Sequence, residues 1–135
     1  MIYPLRLQEI GSPIITAKIF NNDVCFIVDT GSSENLLKEI TYRYFIEIKG
    51  IIPNSSSKEI NTLYETESVK GSITLPFIFE NQEYIESFSP YNSPAFDIFY
   101  NNTGTEIDGI LGSPFLEKHQ WIIDYSRKLL SSNSE

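Results

Sequence analysis

Apolar positions along this chain fall in short runs at strand spacing, with few stretches that keep the 3.6-residue repeat of a helix. Ile14-Ile15-Thr16-Ala17-Lys18-Ile19-Phe20 and Val24-Cys25-Phe26-Ile27-Val28 are rich in β-branched and aromatic residues. Asn21-Asn22-Asp23 between them are turn formers, so the pair reads as a hairpin. A second hairpin reads from Ile73–Phe79 through Glu80-Asn81-Gln82 to Glu83–Phe88. Pro76 within it calls for an edge or bulged position, because proline has no N–H to give to a ladder. Trp121-Ile122-Ile123-Asp124-Tyr125 is a further strand, closed by the polar Ser126-Arg127-Lys128.

Two stretches read as helix. Ser33 is an N-cap candidate ahead of Glu34-Asn35-Leu36-Leu37-Lys38-Glu39-Ile40, and Leu36, Leu37, Ile40, Tyr44 and Ile48 share one helical face. The spacing predicts a helix over 36–45. Pro114 opens a turn or two through Phe115-Leu116-Glu117-Lys118. The polar segment 53–70 reads as a surface loop or a mobile hairpin, and 131–135 as a frayed end. No repeat is visible, and the length is that of a single domain over 1–135 with its core at about 5–128.

Composition narrows the chemistry. Of 135 residues, 41% are hydrophobic and 21% charged, which is ordinary globular usage. Ten bases against eighteen acids leave a formal charge of −8, so phosphate backbones and anionic lipid are poor partners; neither nucleic acid nor membrane is expected. No apolar run reaches the roughly 18 residues of a spanning helix. Met1 to Arg6 lacks the basic and apolar regions of a signal peptide, which with the single thiol points to a cytoplasmic setting. One His and one Cys cannot close a zinc site, so no metal and no cofactor is expected. The Ile- and Asn-rich composition suits a bacterial source.

The candidate chemistry sits after the Val24–Val28 run, in Asp29-Thr30-Gly31-Ser32-Ser33. An apolar strand delivers a carboxylate at its end, where core walls desolvate it. Gly31 lets the backbone turn tightly and bring its N–H to that carboxylate, while Thr30 and Ser32 offer hydroxyls. On its own, Asp-Thr-Gly is three common turn residues. Here it is matched downstream by Ile107-Asp108-Gly109-Ile110-Leu111-Gly112-Ser113-Pro114-Phe115-Leu116, in which Ile110-Leu111-Gly112 leads into the short helix.

Together these elements resemble the retropepsin-like aspartic proteases, and most closely the bacterial single-domain members, over about residues 5–128. Ile122-Ile123-Asp124-Tyr125 matches the apolar strand that follows in that group. The resemblance implies an all-β fold, a closed acid-protease barrel with one or two short helices. It implies an aspartic endopeptidase acting on polypeptide, with Asp29 catalytic and Thr30, Gly31, Ser32, Ile110, Leu111 and Gly112 supporting it. Such chemistry needs two carboxylates sharing one proton, because like charges a few ångströms apart cannot both ionise cheaply. The chain has one Asp-Thr-Gly, and Asp108-Gly109 reads as a turn and Asp124 as a strand-end or salt-bridging acid. The second carboxylate is therefore expected from another copy, in a two-fold homodimer with Asp29 at the axis and Thr30 reaching across. In the family the chain ends interleave between subunits, for which Ile2–Leu7 and Leu129-Leu130 are the candidates.

The chain departs from the family pattern between Gly50 and Gly71, where the closing flap is expected and no glycine occurs. That departure motivates an alternative, an inactive or weak retropepsin-fold binding or assembly module. Ser32 is expected to bond the outer oxygen of Asp29 and lower its pKa, with Glu34 acting the other way. Cys25 reads as a buried small hydrophobe, His119 as a surface or satisfied residue, and Trp121 as core or dimer contact. Tyr91, Phe96, Phe99 and Tyr100 fall in a loop-like stretch around Pro94, either as packing or as a wall of the substrate cleft. Asn54-Ser55-Ser56 and Asn101-Asn102-Thr103 match the glycosylation pattern, idle without a signal sequence.

Overall fold

The computed structural model describes residues 2–4, 6–7, 13–61, 66–127 and 129–132. Both expected hairpins form. β3 (Pro13–Ile19) pairs antiparallel with β4 (Asn22–Val28), following the short β1 (Ile2–Pro4) and β2 (Arg6–Leu7). The turn is tighter than the three polar residues predict. Phe20 and Asn21 both adopt positive φ, 47° and 68°, which is the two-residue geometry that follows strand twist, so Asn22 and Asp23 already belong to β4. Glu80 and Asn81, at φ 51° and 63°, make the same turn between β7 (Thr66–Phe79) and β8 (Gln82–Tyr91). Pro76 faces a partner on one side: its neighbour is Ile85 of β8, and it lies between Ser72, which pairs with β6 (Asn54–Asn61), and Ile78, which meets Lys18 of β3.

The strand order β3-β4-β9-β5-β8-β7 returns to β3 and closes a six-stranded barrel, where β5 is Asn35–Lys38 and β9 is Gly109–Leu111. β9 lies between β4, to which it runs parallel, and β5, to which it runs antiparallel. These three strands are covered on both faces. Val24, Phe26 and Val28 of β4, Leu37 of β5 and Leu111 of β9 enter the barrel core with Phe77, Phe88, Phe115 and Trp121. Ile27, Leu36 and Ile110 point the other way, against Tyr91, Phe96, Phe99 and Ile107. Double burial explains why β4 reads as an unbroken apolar run. Each such side chain contributes about 1.5–3 kcal/mol. Trp121 stacks on Phe115 at 5.7 Å, so it is core.

Three short helices occur among the described residues, where the sequence predicts one or two. α1 spans Glu39–Glu47, not 36–45. Leu36 and Leu37 are consecutive, both fully buried, and enter opposite cores, as successive side chains of a strand covered on both faces do. α1 then buries Tyr42 and Phe45, and the stripe Ile40, Tyr44 and Ile48 faces outward. α2 (Pro94–Thr103) replaces the expected loop. Ser93 caps it by accepting from Ala95 N–H at 3.2 Å, Pro94 sits in its first turn, and Gly104 ends it at φ 74°. Its Phe96 and Phe99, with Tyr91, build the second core and do not wall a cleft, while Tyr100 is exposed. α3 (Ser113–Lys118) follows Gly112 as predicted.

A three-stranded sheet, β1-β11-β10, flanks the barrel, with β10 at Trp121–Asp124 and β11 at Leu129–Ser132. Ser131 and Ser132, read as part of a frayed end, are the last residues of β11; 133–135 lie outside the described residues. The two chain ends pair within one chain, Tyr3 opposite Leu130, so interleaving between copies would have to replace that pairing residue for residue. No described helix is long and apolar enough to cross a membrane.

Candidate active site

β4 ends at Val28, opposite Leu111, and the ladder continues one step further: Asp29 N–H donates to the Leu111 carbonyl at 3.0 Å. That bond ties Asp29 to a strand buried on both faces. The chain then turns at once, with Ser32 N–H donating to the Asp29 carbonyl at 3.1 Å. Within the turn Gly31 N–H donates to Asp29 Oδ1 at 2.8 Å, as the glycine's placement predicts. Asp29 is 5% exposed, whereas Thr30 and Gly31 lie at the surface.

Burial raises the Asp29 pKa above its ordinary 3.8, and the Gly31 N–H pulls against that rise without cancelling it. The expected lowering by Ser32 fails on geometry. Ser32 is buried and its Oγ donates to the Glu34 carbonyl at 2.6 Å, turning inward to close the loop. The arrangement presents a desolvated carboxyl whose pKa is raised above its ordinary value, beneath an exposed Thr-Gly crown. Such a group can accept and donate a proton.

Ile110, Leu111 and Gly112 support this loop from below. Ile110 packs toward α2 and Leu111 into the barrel. Gly112 passes so close to the loop that an added Cβ would lie 2.7 Å from the Ser32 carbonyl oxygen and 2.5 Å from that of Glu34. Ser113 N–H donates to the same Ser32 carbonyl at 2.9 Å.

Two residues that sequence reasoning passed over, Asn35 and Glu86, complete the support. Asn35 is buried and bridges two elements. Its Oδ1 accepts Gly112 N–H at 3.0 Å, and its Nδ2 points to Glu86 Oε1 at 3.4 Å. Glu86 is 6% exposed, and its Oε2 meets Lys118 Nζ at 3.2 Å and His119 Nε2 at 3.1 Å. His119 is thus the satisfied residue expected, lying edge-on to Tyr84 at 4.7 Å. The one available signal was an amide side chain opening the apolar pair Leu36-Leu37.

Asp108 does more than turn the chain. Its Oδ2 accepts Cys25 N–H at 2.9 Å, its own N–H donates to the Cys25 carbonyl, and its carbonyl accepts Lys38 N–H at 2.7 Å, joining β4 to β5. Cys25 itself is partly exposed and packs at the edge of the smaller core. Asp124 bonds Arg127 through both side chain and backbone, 2.8 and 3.0 Å, as a strand-end ion pair. The glycine-free segment forms a hairpin of β6 on the first half of β7, with an irregular register between Asn54 and Ser57; its tip, 62–65, lies outside the described residues.

No family model and no curated protein matches the sequence. Among solved structures, a retropepsin-like aspartic protease from Rickettsia conorii aligns over 96% of this chain and 87% of its own, at TM-score 0.57 and 20% identity. The retroviral protease-like domain of Ddi1 from Leishmania major aligns over 90% of this chain and 88% of its own, at TM-score 0.61 and 16% identity. With its closed six-stranded barrel, the chain thus has the retropepsin-like fold.

Proposed function

We propose that the protein is an aspartic endopeptidase whose active form is a homodimer, with one Asp29 from each copy. The observation that carries the reading is the desolvated Asp29 carboxyl at the end of β4, under a surface-exposed Thr30-Gly31, in a chain with one such motif. A single carboxyl group cannot serve as acid and base in one step. With two side by side, the ionised one takes a proton from a water, which attacks the scissile carbonyl carbon. The protonated one gives its proton to the carbonyl oxygen. Collapse of the tetrahedral species breaks the C–N bond, and the nitrogen leaves with a proton from the dyad. The raised pKa of Asp29 favours sharing a proton even before the second charge arrives. The β6–β7 hairpin is the proposed cover for an extended polypeptide, because β6 ends its sheet and keeps one backbone edge for main-chain pairing.

The test is digestion of an unfolded protein by wild type and by Asp29→Asn. Loss of cleavage in the variant, with an intact fold, supports the reading, and equal cleavage refutes it. Thermal stabilisation by a hydroxyethylene transition-state analogue separates this reading from a non-cleaving assembly module, because only a formed site binds it.

A further inference from the structure

We infer that Asn35 is the positioning residue for Asp29, acting through the single peptide unit that joins Leu111 to Gly112. The carbonyl of that unit accepts Asp29 N–H at 3.0 Å, and its N–H donates to Asn35 Oδ1 at 3.0 Å. One rigid plane therefore carries the Asn35 contact on one edge and the Asp29 contact on the other. A rotation that frees one bond misaligns both.

The Asn35 amide has one workable orientation. Glu86 Oε1 is an acceptor and Gly112 N–H is a donor, so Nδ2 must face the first and Oδ1 the second. Glu86 is fixed in turn on its other oxygen by Lys118 Nζ and His119 Nε2, both from the end of α3. A chain of contacts thus runs from the surface of α3 through two buried polar side chains to the backbone that holds Asp29. Among the described residues, the side-chain hydrogen bond to the 111–112 peptide comes from Asn35. Asn35 is the side chain that selects its tilt.

Asn35→Val and Asn35→Thr separate positioning from bulk stability. The two replacements have nearly the same shape, and only threonine keeps an oxygen able to accept Gly112 N–H. Both lose the Glu86 contact. Two readouts are free of any assumption about cleavage: amide exchange at Gly112, and the carboxyl titration of Asp29 followed by carbon NMR. Asn35→Val should speed Gly112 exchange at least about tenfold and move the Asp29 titration toward its ordinary value by about half a pH unit or more. Asn35→Thr should leave the titration close to wild type. An Asp29 titration that is unchanged in Asn35→Val, while Gly112 exchange has accelerated, overturns the inference. If Asn35→Val does not fold, Glu86→Gln carries the test, because a neutral amide no longer dictates the Asn35 orientation. A titration shift in the same direction supports the inference, and no shift overturns it. The kinetic arm rests on the proposed peptidase reading: kcat should fall more in Asn35→Val than in Asn35→Thr with KM little changed. If Asp29→Asn cleaves as well as wild type, that reading fails, and the NMR result still decides the role of Asn35.

Discussion

The loop around Asp29 and the hairpin of β6 and β7 are opposite solutions to placing a segment on one barrel. Asp29 is over-determined: a ladder bond from Leu111, a turn bond from Ser32, an N–H from Gly31, and beneath them Gly112 wedged against two carbonyl oxygens. The hairpin is held by its own ladder as far as Asn61 opposite Thr66, and it joins the barrel where Gly71 lies beside the Tyr42 hydroxyl and the Asn54 carbonyl. One region gains order by burial on two faces, and the other is held by the pairing of β6 with one neighbouring strand. A site that activates water and receives an extended chain requires both, a fixed reacting group and a cover that yields.

The comparison can be broken most severely at Asp29 itself. Asp29→Asn should lower peptide cleavage by about three orders of magnitude, read by digestion of an unfolded protein. Two glycines then test the rigid and the projecting region separately. Gly112→Ala forces a methyl group against the Ser32 and Glu34 carbonyls, where backbone on both sides cannot yield. It should cost about 1–3 kcal/mol in urea unfolding and depress activity further than stability. Gly71→Ala meets the Tyr42 hydroxyl at 3.1 Å and the Asn54 carbonyl at 3.2 Å with φ at 93°. It should cost about 1 kcal/mol and act on KM, by tilting the hairpin, more than on kcat. Equal kcat losses in the two variants would remove the distinction between the regions.

Protons sharpen the same contrast. The folded Asp29 pKa is raised, so the native state binds the proton more tightly than the unfolded chain. The stability this confers is whole below the unfolded value near 3.8 and is lost as pH rises through the folded one. Asp29→Asn removes that loss and should gain on wild type as pH rises above the ordinary 3.8. A difference that does not change with pH would contradict the burial account. Asp124 is the reverse case and the smallest effect. Arg127 holds its pKa down to about 2, so its contribution is present at neutral pH and fades as pH falls toward that value. Asp124→Asn should lower the urea midpoint slightly at pH 7, by an amount that shrinks as pH falls through about 2.

Local patterns made the frame of the site legible. The β-branched run into Asp29, the glycine two residues on, and the apolar pair before Gly112 each act through neighbours in sequence or through one strand pairing. Helix boundaries were harder where two cores compete. Leu36 and Leu37 suit a helical face with Ile40, but burial on opposite sides of a sheet placed them in β5 and left Ile40 outside. α2 was hidden by reading the stretch around Pro94 as loop, although Ser93, Pro94 and Gly104 form the start and stop signals of a helix. Asn35 and Glu86 were illegible for another reason. Their bonds span 77 and 51 residues of chain, so no window of sequence contains both partners. Ser32 erred through a choice between acceptors: the Glu34 carbonyl two residues on was nearer to hand than the Asp29 carboxylate.

The central claim is that chemistry requires Asp29 from two copies, and subunit mixing tests it most directly. Wild type is unfolded and refolded with increasing amounts of Asp29→Asn, and cleavage is expressed per wild-type chain. If two copies build one site, that activity should fall to about one half at equal amounts and about one tenth at ninefold excess, following the chance that a wild-type chain meets its own kind. Activity per wild-type chain that stays constant across the whole series would contradict the account.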